Sequence, residues 1–204
     1  MAKIIRLATA EDTEEIRAIY AHYIDQSVTF ECILPTVEQF QERIENILRI
    51  YPYLVAEKDG KIIGYTYAHR FKDRQAYDWS VECSIYLHPL ARGMGLGKIL
   101  YSALMKLLAL QNIQMAYACV TMPNIPSEAL HQSVGFRVVA QMPNAGYKAG
   151  AWRDVKWYAK EIGDFPLEPK AVVPLKETEQ KLQQQILREA VEQWEKKIAL
   201  KKSI

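Results

Sequence analysis

Three glycines at alternate positions, in Arg92-Gly93-Met94-Gly95-Leu96-Gly97-Lys98, are the residues whose spacing speaks most directly of chemistry. They follow a run at 79–87 that reads as a strand, and they open a leucine-rich run from Lys98 to about Gln111 that reads as a helix. Glycine admits left-handed backbone and leaves amide N–H groups uncovered. A helix start adds unpaired N–H groups and the positive end of its dipole, so loop and helix together make a seat for a phosphate-bearing ligand. Arg92 adds a fork that suits phosphate. A P-loop is excluded because Lys98 precedes Ile99 and not a hydroxyl residue. A dinucleotide fingerprint is excluded because its third glycine would fall at Lys98. What remains is Arg-x-x-Gly-x-Gly. A ligand-free turn is the competing reading, and three glycines would then lose backbone entropy for no return.

Two side chains can move protons near this loop. In the strand at 79–87 the pleat separates Trp79, Val81, Cys83, Ile85 and Leu87 from Ser80, Glu82, Ser84 and Tyr86. Glu82 therefore points away from the more apolar face, a few residues before the loop. A partly desolvated Glu has a raised pKa, nearer the value a base needs at neutral pH. A salt-bridged or solvated strand Glu fits the same spacing. His131 titrates in the working range and can serve as acid or base, or as a packed or capping residue.

The elements that must position these groups are legible in outline. Residues 4–7 read as a strand, and Thr9 can cap a helix carrying Ile16, Ile19, Tyr20 and Tyr23 on one face. A capping box, Thr36 with Gln39, opens a second helix with the stripe Phe40, Ile44, Ile47 and Leu48. Asp59-Gly60 joins strands 53–57 and 61–67 as a hairpin. Residues 115–120 read as a strand parallel to 79–87, reached by a crossover. A short helix starts at Pro126 and stops at Gly135, and strands at 136–142 and 152–160 follow. The order predicts an α/β (α+β) fold with a mixed central sheet flanked by helices. The division predicted is a domain at 1–162, a proline-containing linker at 163–174, and an amphipathic helix at 175–204. In that helix Leu182, Ile186, Leu187, Val191, Trp194 and Ile198 share a face, and lysines 196, 197, 201 and 202 crowd the end that favours cations. It is read as lying on its own domain or across a subunit boundary; a calmodulin-like target or a membrane-surface helix is the competing reading, which a polar face of mixed sign disfavours.

Composition narrows the class. Of 204 residues, half are apolar and a quarter charged, with a net charge of +2, which argues against a nucleic-acid binder. Three scattered cysteines make no CxxC pair and leave one over, so a reduced cytoplasmic setting is expected. No apolar stretch is long enough to span a bilayer, no signal peptide is read at the N-terminus, and the histidines lack metal-ligand spacing.

The run at 86–100 resembles the strand–loop–helix unit of the GNAT N-acetyltransferases. Four further motifs, SVTFE at 27–31, RFKDRQAYDWSVE at 70–82, PNIPS at 123–127 and GYKAGAWRD at 146–154, look like the phosphinothricin and methionine sulfoximine N-acetyltransferases. The resemblance covers about residues 4–160. It implies the GNAT fold, acetyl-CoA as cosubstrate, and acetylation of the α-amine of a small amino-acid analogue by direct attack in a ternary complex. It also implies a detoxifying role of the herbicide-resistance kind and a homodimer. Glu82 and His131 match the family's catalytic residues, although many relatives carry tyrosine where His131 stands. Cofactor contacts are implied at Ile85, Tyr86 and Leu87, at Arg92, Gly93, Met94, Gly95, Leu96, Gly97 and Lys98, and at Asn124. Substrate contacts are implied at Phe30, Lys72, Arg74 and Tyr77. Arg74 offers a fork for a carboxylate, and Phe30 and Tyr77 offer apolar walls. Acetylation of a peptide amine, and a binding protein without turnover, are the readings that compete.

Overall fold

The computed structural model describes residues 2–202. Met1 and the last two positions of the expected C-terminal helix, 203–204, lie outside the described residues, as do the side chains of lysines 201 and 202. The chain forms β1 (Lys3–Leu7), α1 (Thr13–Ile24), α2 (Val37–Leu48), β2 (Tyr53–Lys58), β3 (Lys61–Arg70) and β4 (Ser80–Leu87). Then come α3 (Leu96–Leu110), β5 (Met115–Thr121), α4 (Ile125–Ser133), β6 (Arg137–Lys148), β7 (Ala151–Glu161) and α5 (Gln180–Lys202). The strands make one seven-stranded sheet in the order β1-β2-β3-β4-β5-β7-β6. Every neighbouring pair is antiparallel except β4 with β5.

Local chemistry sets the element ends. Thr36 Oγ1 accepts from Gln39 N–H at 3.2 Å while Gln39 Oε1 accepts from Thr36 N–H at 3.0 Å, closing the box that starts α2. Asp59 and Gly60 both have positive φ, 54° and 78°, as a tight hairpin turn requires. Gly135 (φ 89°) ends α4: its N–H reaches Gln132 O at 3.0 Å, and Phe136 N–H reaches His131 O at 3.0 Å. Thr9 differs from expectation. It caps a 3-10 turn, Ala10–Asp12, with Asp12 Oδ2 accepting from Thr9 N–H at 2.8 Å, and α1 proper starts after that turn.

One register decides where a ligand can enter. β4 and β5 pair only at Ser80↔Met115, Val81↔Ala116 and Glu82↔Tyr117. Past that point β4 stays with β3 as far as Leu87↔Gly64, and β5 stays with β7 as far as Thr121↔Val155. The sheet therefore opens into a fork whose apex is Glu82 and Tyr117. Backbone groups of residues 83–87 that would have met β5 face the gap instead.

Two cores clamp the sheet. On one face, α3 and α5 bury Val81, Cys83, Leu100, Leu104, Leu108 and Trp194. On the other, α1 and α2 bury Ile16, Ile19, Phe40 and Ile44 against Tyr53 and Tyr65. The pleat of β4 behaves as expected: Val81 and Cys83 join the α3 core, while Tyr86 meets Tyr20 and Tyr23 edge-on. The face that receives Glu82 is not a wet one, however. Tyr53, Tyr65, Tyr67 and Tyr86 stack along it.

The segment before α5 is strapped to the body. Trp79 Nε1 donates to Lys170 O at 2.7 Å, and the Gln111 amide donates to Ile50 O and Val173 O at 2.7 and 2.8 Å. α5 then lies on the body's own surface, against α3 and β1.

Candidate active site

A cavity of about 860 Å³ fills the fork. Its walls are Cys83–Leu87 of β4, Cys119 and Val120 of β5, the loop at 92–98, and one side of α4 from Asn124 to His131. The lining contains three cations, Arg92, Lys98 and Lys197, and no carboxylate among the described residues. Such a wall suits an anionic ligand and repels a cationic one.

The loop is built as the glycines require. Gly93 and Gly95 have φ of 70° and 75°, in the left-handed region. Gly95 is the N-cap of α3, and no side chain caps that helix start, unlike α2 and α4. The first-turn N–H groups of α3 are left for a partner outside the helix. Gly97 serves packing instead, since a Cβ there would lie 3.0 Å from Leu130 Cδ2; its smallness lets α3 and α4 approach closely. Leu96 is fully buried in the core, and neither it nor Met94 lines the cavity. Arg92 is aimed by Tyr23, whose ring lies 5.1 Å below the guanidinium. Tyr23 Oη also donates to Leu87 O at 2.5 Å and accepts from Leu87 N–H at 3.2 Å. The amide of Leu87 is thus engaged by Tyr23 and the backbone of Tyr86 is paired with Tyr65 of β3, which leaves the backbone of Ile85 facing the gap. The sequence showed Tyr23 only as part of an apolar helix face.

Asn124 caps α4, its Oδ1 accepting from Ser127 N–H at 3.2 Å, and lines the cavity. His131 sits one turn past Ser127, 3% exposed. Its Nδ1 lies 2.7 Å from Ser127 O, which can only accept, so Nδ1 carries the proton. Nε2 then accepts from the Tyr101 hydroxyl at 3.0 Å. Burial pushes the imidazole below its ordinary pKa, against the opposing pull of the Ser127 carbonyl. His131 is therefore a neutral acceptor in the resting site. Tyr101 is also buried and lines the cavity, and burial holds its hydroxyl well above the usual phenol range. Sequence reading missed Tyr101; the signal was a hydroxyl four residues after Gly97, on a helix face otherwise made of leucine.

Glu82, half-buried at the apex of the fork, is raised above the ordinary carboxylate range by burial; His69 and Lys72 pull the other way. No hydrogen bond joins Glu82 to His131 among the described residues. After burial, Cys83 and Tyr67, Glu82 adds a smaller upward push to the Tyr101 hydroxyl. Cys119 also borders the gap, its thiol pushed up to about 11 by burial, and the buried Cys83 thiol is raised as well.

The four expected substrate residues lie outside this cavity. Lys72 acts electrostatically on Glu82 and sits 5.1 Å over the Phe71 ring. Arg74 and Tyr77 occupy an exposed turn, with Tyr77 edge-on to Phe71. Phe30 packs over Gly146 of β6, where a Cβ would fall 2.6 Å from the ring. Its loop is pinned by the buried Lys148, whose Nζ donates to Thr29 O and Glu31 O at 2.6 and 2.7 Å. The Glu31 carboxylate is in turn forked by Arg43 at 2.6 and 3.1 Å. The Lys148 anchor was invisible in the sequence because its partners lie more than a hundred residues away.

Comparison with known proteins gives one consistent result. A family model described as an acetyltransferase (GNAT) domain matches residues 5–157. The chain is 36% identical over 172 residues to the phosphinothricin N-acetyltransferase of Streptomyces viridochromogenes, covering 84% of this chain and 93% of that protein. It is 32% identical over 168 residues to the L-methionine sulfoximine/L-methionine sulfone acetyltransferase of Salmonella typhimurium, covering 78% and 95%. Among solved structures, a GNAT phosphinothricin acetyltransferase from Sinorhizobium meliloti in complex with acetyl-CoA superposes with a TM-score of 0.80. That match is at 34% identity and covers 85% of this chain and 96% of the other.

Proposed function

The chain belongs to the GNAT acetyltransferases, and on that premise we propose that it transfers acetyl from acetyl-CoA to the α-amine of a small amino-acid analogue. Phosphinothricin, methionine sulfoximine and methionine sulfone are the acceptor types. The observation that carries the reading is the cavity at the β4–β5 fork, walled by three cations and no carboxylate; Glu82, the last β4 residue paired with β5, precedes the lining residue Cys83 and does not itself line the cavity. Acetyl-CoA supplies an activated acetyl thioester. Arg92 and the amides of residues 93–98 hold its diphosphate, and Ile85 and Asn124 offer hydrogen-bonding groups along the gap. Glu82 takes the ammonium proton, directly or through one water, and its raised pKa suits that role near neutrality. Tyr101 carries the proton that the departing sulfur requires; that hydrogen rests on His131 Nε2 until the hydroxyl turns toward the sulfur, and the tyrosinate left behind recovers a proton from solvent. Lys72 and Arg74 receive the acidic groups of the acceptor, with Phe30 and Tyr77 as apolar walls.

Direct attack is favoured over an acetylated enzyme because Cys83 and Cys119, the thiols at the gap, are both held protonated by burial. Initial rates varied against both substrates are expected to give intersecting lines. Parallel lines would point to a covalent intermediate and refute the ternary complex. Thiol release from acetyl-CoA with a panel of amino-acid analogues tests the acceptor class, and no release with any of them removes it.

The catalytic unit proposed is 1–162, joined through 163–174 to the C-terminal segment at 175–204, in which a 3-10 turn at Leu175–Glu177 precedes the helix Gln180–Lys202. A homodimer is supported by edge strand β6, which leaves Val138, Val139 and Met142 exposed beside Tyr147 and Trp152 of the same hairpin. Sedimentation of the Val138→Lys, Met142→Lys double variant is expected to shift toward monomer. A cytoplasmic setting accords with the free thiols of Cys32, Cys83 and Cys119. Among the described residues no helix is long and apolar enough to cross a membrane, and no group of side chains could hold a metal ion.

A further inference from the structure

The C-terminal helix lies beyond the stretch matched by the family, at 5–157, yet it reaches the phosphate loop. α5 runs antiparallel to α3. Its start is anchored near the C-terminal end of α3, where Gln111 binds Val173 O and Leu175 N–H binds Ile50 O at 2.9 Å. Midway, Lys106 pairs with Glu189 at 2.7 Å. Trp194 is then fully buried in the core, and Glu195 approaches Lys3 of β1 at 3.8 Å. Gly95 lies eleven residues back along the chain from Lys106, and Lys197 lies eight residues on from Glu189. At 1.5 Å per residue these runs are about 16 and 12 Å. The stem of a lysine closes the difference.

Lys197 is the residue that arrives. A methyl group built on Gly95 would overlap its Cε and Nζ and lie 2.7 Å from its Cδ. The ammonium therefore rests over the backbone of the α3 N-cap, at the wall of the cavity, half-buried. Among the described residues it forms no ion pair, whereas Lys3 and Lys106 are paired with carboxylates of the same helix. Its neighbour Lys196 is exposed and does not line the cavity. A third cation has thus been set beside Arg92, Lys98 and the positive end of α3, an arrangement of mutual repulsion that a bound polyanion relieves.

We propose that Lys197 is a phosphate ligand of the cofactor site, its ammonium pairing with the diphosphate seated on the 92–98 loop, so that α5 forms the outer wall of the acetyl-CoA pocket. This rests on the reading of acetyl-CoA as donor. Losing one charge-assisted contact to a partly screened phosphate weakens binding by about tenfold.

The test is calorimetry of coenzyme A with the full chain, free of activity readouts, at low and high ionic strength. Lys197→Gln keeps the stem and removes the charge, and is expected to bind about tenfold more weakly. The deficit should shrink as salt is raised, as screening requires. Lys197→Arg is expected to recover most of the affinity, and Lys196→Gln, the same loss of net charge one residue away, to match wild type. Dephospho-coenzyme A should show the same deficit, because the diphosphate is still present. Wild-type affinity in Lys197→Gln, or an equal loss in Lys196→Gln, would overturn the proposal and leave the donor assignment standing. A deficit that vanishes with dephospho-coenzyme A would overturn the diphosphate assignment. If the wild-type chain fails to bind coenzyme A at all, the donor reading falls instead.

Discussion

Tyr101 and His131 should behave as one unit, and their removal can be sized from the geometry. Tyr101→Phe deletes the hydroxyl 3.0 Å from His131 Nε2 and leaves that nitrogen buried without a donor. An unsatisfied buried acceptor costs about 1–3 kcal/mol, so a value near 2 kcal/mol is expected for stability. For a chain of this size that lowers Tm by about 4–8 °C. The effect on rate should be larger. Placed proton transfer contributes about 10²–10⁴-fold, equivalent to roughly 3–5 kcal/mol of barrier. Tyr101→Phe and His131→Ala should each lower kcat to that extent at saturating substrates. The double variant should be no slower than the worse single one, since removing His131 only frees a hydroxyl that is already gone. The assay is steady-state thiol release with the best acceptor of the panel, alongside thermal unfolding of all four proteins. A Tyr101→Phe enzyme within threefold of wild type, or losses that multiply in the double variant, would refute the relay.

Three further outcomes are expected. Glu82→Gln should lose about 10²–10⁴ in kcat/KM together with the limb of the pH profile on which rate rises as Glu82 deprotonates; because burial raises the folded-state pKa, stability is lost as pH climbs from the ordinary carboxylate value through the raised one, so this variant should melt no lower than wild type at neutral pH. His131 is depressed by burial, so between its folded pKa and the unfolded value near 6.5 the unfolded chain binds the extra proton. Stability should therefore fall as pH drops below about 6.5, and unfolding of His131→Gln measured across pH 5–8 should show a shallower decline. Trp194→Ala should cost about 3–5 kcal/mol by opening the α3–α5 core, whereas Trp194→Phe should cost far less, since it also removes an indole N–H buried without a partner. Denaturant melts that show equal costs would mean α5 is not seated as described.

Features coded within a few residues were readable from the sequence. Thr36 with Gln39, Asp59-Gly60 and the glycine loop each combine a residue type with a backbone need, and each took the predicted form. β6 shows where that logic weakens. The expected strand stopped at Met142, yet β6 runs on to Lys148, past Pro143 and through a register shift between Met142 and Gly146, which an edge strand tolerates. The fork itself was beyond local pattern. Nothing in residues 79–87 or 115–120 says that pairing stops at Glu82↔Tyr117, because register depends on what β3 and β7 do to either side. The same holds for Tyr101 with His131 and for Lys197 over Gly95, where partners are brought together only by the packing of whole helices.

The parting of β4 from β5 is a property of main chain and not of any one side chain. Its dimensions follow from strand pairing that the two cores enforce, so residues bordering it can be exchanged while the slot persists. A protein made this way separates two kinds of inheritance: the socket for a common donor stays put, and the surrounding turns and loops are free to drift toward new acceptors.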